Sequence, residues 1–349
     1  MSSQPKMLQA KEKLKPLGVH TAVGHLQKFN KWKEIPFLRD NKGMVPPFII
    51  SVGSRARVLQ SPFTLGMKSH SFIDDAAKQK FSIADYGRVC ICIGTAEHKG
   101  LLFPLMVAES QMGCPAAQIN MKELLYHARP EGYKIRGEWR PSSGVHVIRA
   151  GTCGGVNSHK RTSPVMEIGD IAIAAESIGS VGALLQSSFG MLNFTGIPMP
   201  QEAKANFPAR FTEDGQYLST FPSADMGTAL VSGARELGAK FACGTNFTKD
   251  SLYAEMGEDD FAALRDRYNV ISTEMEQIAI DALAYEFTKE GIPVHSGLVS
   301  AVIGAIPGKS FPETEEEHKA AAKAEEHAVI LAKNALGETA LRETASMMF

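Results

Sequence analysis

The sequence predicts an α/β protein, a three-layer α/β/α sandwich around a central mixed, largely parallel sheet. Two observations carry that expectation. Short apolar or β-branched runs alternate with stretches of helical periodicity along the whole chain, the order expected of strands covered by crossover helices. Two of those runs also pass directly into glycine turns that carry arginine, which is how such folds commonly build an anion site.

The first strand is expected at residues 46–52 (PPFIISV), turning through Gly53-Ser54-Arg55-Ala56-Arg57 into a helix. A second is expected from Arg88 to Ile93, returning through residues 101–108. Residues 115–127 read as a helix with Leu124 and Leu125 inward, and Val145 to Arg149 as a strand that stops at the turn Gly151-Thr152-Cys153-Gly154-Gly155. Residues 169–175, 240–245 and 294–303 supply further strands; 225–237, 259–268 and 273–289 supply helices. A long terminal helix is expected over 315–336, with Thr314 as N-cap and Glu317 completing a capping box. Residues 186–222, rich in Gly, Pro, Phe and Ser, show no sustained period and read as a long inserted loop.

With 349 residues and 44% apolar content the chain can bury a substantial core. The expected organisation is a basic N-terminal arm, residues 1–45, followed by a single domain over 46–349. The arm holds nine Lys/Arg against three Asp/Glu, about +6, which leaves about −7 for the remainder of a chain of formal charge −1. So balanced a total gives no global field toward nucleic acid or membrane, and neither is expected as a partner. The arm lacks the apolar segment of a secretory signal. No run of about 18 apolar residues marks a membrane span. The five cysteines, Cys90, Cys92, Cys114, Cys153 and Cys243, have no CxxC spacing, which suits a reducing, cytoplasmic setting.

Three segments stand out as candidates for chemistry: VGSRARV around Gly53, RAGTCGG after Ile148, and Ser272-Thr273-Glu274-Met275-Glu276. Arginine in the first two fits an oxyanion, because its planar fork can donate two bonds to one anion. In this order and separation the three resemble the nucleoside phosphorylases of the uridine and bacterial-type purine family, whose phosphate loop reads GDPERV and whose turn reads RIGT(S/T)GG. Protozoan uridine phosphorylases are the nearest look-alikes. The resemblance implies reversible phosphorolysis, in which a nucleoside and phosphate give a free base and ribose 1-phosphate. It assigns phosphate to Gly53, Arg57, Arg149 and Thr152, with Arg88 as the candidate for the arginine that a neighbouring subunit contributes. It assigns ribose to Met275 and Glu276, and to His25 reaching across a homodimer to the 5′-hydroxyl. Cys153, Gly154, Tyr253 and Glu274 fall to the base. Arg149, Thr152 and Glu276 are the expected catalytic set. No metal or organic cofactor is implied; phosphate is itself a substrate.

At the base the sequence departs from the family. A Gln-x-Arg pair that reads uracil would fall at Met256 and Glu258, and the purine branch's catalytic Asp would fall at Ala301. Gln201, Arg210 and Gln216 are alternative polar candidates from the inserted region. Uridine is the favoured substrate; a purine nucleoside, hydrolysis by water, and a non-catalytic nucleoside-binding protein are the alternatives. The stretch Gly304-Ala305-Ile306-Pro307-Gly308-Lys309-Ser310 imitates a nucleotide-binding P-loop but has three residues between its glycines where four are needed. The dinucleotide fingerprint GxGxxG is absent from both glycine turns. His318 and His327 lie nine apart on an acidic helix, which is not zinc-ligand spacing.

Overall fold

A computed structural model of the chain describes residues 14–16, 19, 21–67, 89–159, 165–179, 210–212, 217–249 and 256–346. Arg88, Gln201, Gln216 and Tyr253 lie outside those residues.

The N-terminal region opens with α1 (Ala22–Lys28), a 3-10 turn (Lys31–Glu34) and α2 (Pro36–Asp40). Thr21 caps α1, accepting from the Gly24 N–H at 3.2 Å. Ala22, Val23, Leu26, Ile35, Phe37 and Leu38 are buried in the same core as the body of the protein, so much of the basic region is packed. Strand β1 (Phe48–Val52) leads through Gly53 into α3 (Arg55–Thr64), then β2 (Ile91–His98) and β3 (Leu101–Glu109) form an antiparallel pair. Helix α4 (Cys114–His127) is followed by a small hairpin, β4 (Gly132–Ile135) and β5 (Glu138–Pro141). Then come β6 (Val145–Val156), β7 (Ile171–Gly179), β8 (Arg210–Phe211), β9 (Leu218–Thr220), α5 (Ala224–Leu237) and β10 (Phe241–Thr248). The chain ends with α6 (Glu258–Tyr268), β11 (Val270–Glu274), α7 (Gln277–Lys289), β12 (Val294–Ile306) and α8 (Glu315–Ala345).

The main sheet is mixed, with strand order β2-β3-β1-β6-β11-β10-β7-β9-β8. Strand β12 pairs with both β6 and β7, so β6, β11, β10, β7 and β12 close into a ring from which β1, β3 and β2 extend. Helix α8 packs on this sheet together with α3 and α5, while α4 and α7 pack on each other and α7 on β12. The apolar strands are therefore covered, as their near-continuous hydrophobicity requires. No helix among the described residues is long and apolar enough to cross a membrane.

Four elements differ from the sequence expectation where it matters. Strand β6 does not stop at Arg149; it runs through Gly151, Gly154 and Gly155 to Val156. None of these glycines has positive φ. They are small because neighbours approach closely: a Cβ on Gly151 would stand 2.9 Å from the Arg149 guanidinium, and one on Gly155 2.7 Å from Met166. The expected helix over 273–289 is instead strand β11 to Glu274 and helix α7 from Gln277. The inserted segment contributes β8 and β9, which pair with each other and continue the sheet from β7. Helix α8 begins as expected, with the Thr314/Glu317 capping box, but extends to Ala345.

Candidate active site

Parallel pairing of β1 with β6 sets Ser51 opposite Arg149, so the end of β1 and the glycine stretch of β6 emerge side by side. A Cβ placed on Gly53 would lie 3.4 Å from Arg149 Nη2 and 3.7 Å from Arg57 Nη1. The two arginine-bearing segments thus converge on one point beside the Gly53 backbone. Ser54 caps α3 by accepting from the Arg57 N–H at 3.4 Å, which sets the N-terminus of that helix at the same corner.

The antiparallel register of β6 and β11 puts Thr273 opposite Gly154, and the parallel register of β10 and β11 puts Thr248 opposite Glu274. Strand β12 runs along β6 with Ala301 opposite Thr152. These strand ends surround a cavity of about 480 Å³. Its walls include Gly53, Arg57, Arg149, Thr152, Cys153, Gly154, Glu274, Met275 and Glu276, so nine of the assigned residues share one cavity. Its size is in the range of small-molecule sites. His25, on α1 with its ring 5.9 Å from that of Phe29, does not line the cavity of its own chain. Arg210 is placed by its backbone on β8.

Glu276 is the hinge of the arrangement. Its Oε2 accepts from Arg149 Nη2 at 2.8 Å, and its Oε1 accepts from the Gly113 N–H at 2.8 Å. Arg149 and Glu276 are both 4% exposed. Burial by itself would raise the Glu276 carboxyl, but Arg149 and the Gly113 N–H outweigh it and hold the group below the usual carboxylate range. Arg149 Nε is buried without a hydrogen-bond acceptor among the described residues. Arg57 is engaged from a distant element: its Nε and Nη2 meet Glu325 of α8 at 3.1 and 2.9 Å.

Glu274 has a different role from its neighbour. Its Oε2 accepts from the N–H groups of Glu276 and Gln277 at 2.8 and 2.9 Å, so it closes the start of α7 from the preceding strand. Its Oε1 accepts from Asn246 and Thr248 at 2.8 and 2.6 Å. Burial, then the charge of Glu276, pushes its carboxyl up to about 7 despite those bonds. Cys153 lines the cavity and is buried, and desolvation together with the charge of Glu274 pushes its thiol well above the ordinary range.

Several lining residues were not anticipated: Met112, Lys249, Phe261 and Phe311. The P-loop look-alike supplies Gly304, Ile306 and Ser310 to the same wall. Lys249 escaped attention because β10 runs to Thr248, past the expected end at Thr245, and carries Lys249 to the cavity rim.

Residues 63–337 match the family model described as the Phosphorylase superfamily. The chain belongs to that family, which is the nucleoside phosphorylase family that the three motifs resemble. A DeoD-type purine nucleoside phosphorylase of Buchnera aphidicola is 24% identical over 190 residues, a stretch covering 54% of this chain and 61% of that relative. Among solved structures, a nucleoside phosphorylase of Trypanosoma brucei with uridine phosphorylase activity superposes with a TM-score of 0.54 at 17% identity, covering 82% of this chain and 93% of the other. The purine nucleoside phosphorylase of Toxoplasma gondii gives 0.53 at 18% identity, covering 86% and 94%. At these identities the likeness establishes the fold, and both base classes occur among the proteins that share it.

Proposed function

We propose that this protein catalyses reversible phosphorolysis of a nucleoside, with uridine as its preferred substrate. The observation that carries the reading is the convergence of Gly53, Arg57 and Arg149 at one corner of a cavity whose adjoining wall is Met275 and Glu276. Cleaving an N-glycosidic bond develops positive charge on the sugar, and a phosphate oxygen must reach C1′ from the face opposite the base. Positioning and fixed electrostatics are the available levers. Phosphate takes the Gly53 N–H, the Thr152 hydroxyl and the two guanidiniums. Glu276 accepts from the ribose hydroxyls and, through Arg149, links the sugar to the anion below it.

The departing base leaves with the glycosidic electron pair, and a proton from solvent completes the product. The mechanism asks for no metal or organic cofactor. We assign a cytoplasmic setting, which fits the buried thiols, and a homodimer in which His25 and Arg88 of one subunit complete the site of the other. The purine reading has the Buchnera relative in its favour. A panel of uridine, thymidine, inosine and adenosine, assayed for released base with and without phosphate, tests the proposal. Phosphate-dependent release of uracil is expected. Release without phosphate would make the protein a nucleosidase, and release of purines alone would overturn the uridine preference.

A further inference from the structure

The base end of the cavity poses a problem. Met256, Phe261, Ile303, Ile306 and Phe311 line the cavity, with Glu258, Thr273 and Ser310 as polar members of the same lining. Yet a base that leaves as an anion needs a donor at its edge, and a site lacking one forfeits both rate and selectivity. Met256 stands where an amide would be expected and Glu258 where a guanidinium would be. A carboxylate cannot donate, and its charge opposes that of the departing base. Three cationic side chains line the cavity among the described residues: Arg57, Arg149 and Lys249. The first two stand together beside Gly53, at the phosphate corner.

Lys249 is held at a different place. Its N–H donates to the Glu274 carbonyl at 2.9 Å, pinning it beside the Glu274-Met275-Glu276 segment. Its Nζ lies 5.7 Å from the ring centroid of Phe261, a buried member of the lining. We infer that Lys249 is the base-edge donor of this site: its ammonium donates to a ring carbonyl oxygen of the bound base. This rests on the phosphorolysis reading. As the phosphate oxygen bonds to C1′, the C1′–N1 bond breaks and its electron pair passes to N1 and on to the carbonyl oxygens. The ammonium meets that charge at the carbonyl, and the uracil anion then takes its proton from solvent. Burial also lowers the Lys249 pKa, the mark of an ammonium partly stripped of water and correspondingly strong as a donor.

The test compares wild type with Lys249→Met and Lys249→Arg in the full chain, on uridine and on 5-fluorouridine, whose fluorine makes the base a better leaving group. Lys249→Met is expected to lower kcat/KM for uridine about 100-fold, the usual consequence of deleting a donor to developing negative charge. The loss on 5-fluorouridine should be about tenfold, and the KM for phosphate should stay within about twofold of wild type. Lys249→Arg should recover part of the uridine rate. Equal losses on both nucleosides, or a weakened phosphate KM, would mark Lys249 as merely structural and overturn the assignment. Calorimetric binding of uracil separates this inference from the reading it rests on. An inert wild type that still loses uracil affinity on Lys249→Met discards phosphorolysis and keeps the base-edge donor. An active wild type whose Met variant is unchanged does the reverse.

Discussion

At the scale of single residues, the buried pair of Arg149 and Glu276 dominates. Two charges taken out of water stabilise a fold only while each has its partner, and deleting one of them typically costs about 3–5 kcal/mol. Glu276→Gln keeps the side-chain shape and an oxygen for the Gly113 N–H but leaves the Arg149 charge uncompensated. Turnover is expected to fall about 100-fold, because the ribose loses a charge-assisted acceptor. Stability should fall as well, by about 3 kcal/mol. Phosphate binding then supplies the missing anion, so added phosphate should raise the melting temperature of the variant more than that of wild type. Equal phosphate shifts in a thermal-denaturation series would show that Arg149 does not meet the anion. The local chemistry of these residues was legible in sequence, because arginine beside glycine and a Glu-Met-Glu segment are themselves chemical statements. Their pairing was not: Arg149 and Glu276 are 127 positions apart, and Arg57 and Glu325 are 268 apart.

At the scale of elements, sequence propensity misled where small or acidic residues serve tertiary contacts. Glycines in β6 read as a turn because glycine is poor in strands, yet each is there to let a neighbour approach. Thr273 to Glu276 read as helix because acidic residues favour a first turn. In the fold, Glu274 ends a strand and its carboxylate caps the helix that follows. Helix α8 shows the reverse, since the Thr314/Glu317 box lies within four residues and needs no distant partner to be recognised.

That helix delivers Glu325 to Arg57. Because Glu325 takes Nε and Nη2, it steers Nη1 toward Gly53. Glu325→Gln should raise the phosphate KM several-fold with kcat unchanged, while stability moves by less than about 1 kcal/mol, since the pair is partly exposed. A lower phosphate KM would show that Glu325 competes with the anion instead of positioning the arginine.

Helix α7 carries another signature. Buried Asp281 accepts from Gln277 and Ser296 at 2.7 Å and from Thr220 at 2.9 Å, tying α7 to β12 and β9. Burial, against those bonds, pushes its carboxyl up from 3.8 to about 6. A carboxyl raised in the folded state favours its protonated form there. Its contribution to stability is therefore complete below the unfolded value and is lost as pH rises through about 6. Asp281→Asn removes that dependence. In urea unfolding the variant should match wild type near pH 4 and exceed it by about 2–3 kcal/mol near pH 8. A constant difference across that range would show that the carboxyl does not titrate in the fold.

At the scale of the whole molecule, ring closure explains why one site gathers residues from five strands and a helix N-terminus. Strand β12 spans from β6 to β7, so the ends of β1, β10 and β11 face the glycine stretch of β6 around a common hollow. No local pattern announces such closure, because it depends on pairings between strands far apart in sequence. Its consequence is a cavity that gathers Gly53, Arg57, Arg149, Thr152, Met275 and Glu276 on one chain, while His25 does not line it. The proposed two-fold dimer accounts for this as an expectation, since an isologous contact lets each chain lend the same residue to the other's site. The expectation can be tested without a dimer structure. Chains carrying His25→Ala and Glu276→Gln are co-expressed with different tags, and the mixed dimer is purified through both. If His25 acts across the interface, one site in that dimer is intact and the other carries both lesions. The mixed dimer should then show about half the wild-type rate, although each variant alone is deeply impaired. If His25 belongs to its own chain's site, every site carries one lesion, and the mixed dimer will show only the mean of the two variants' rates.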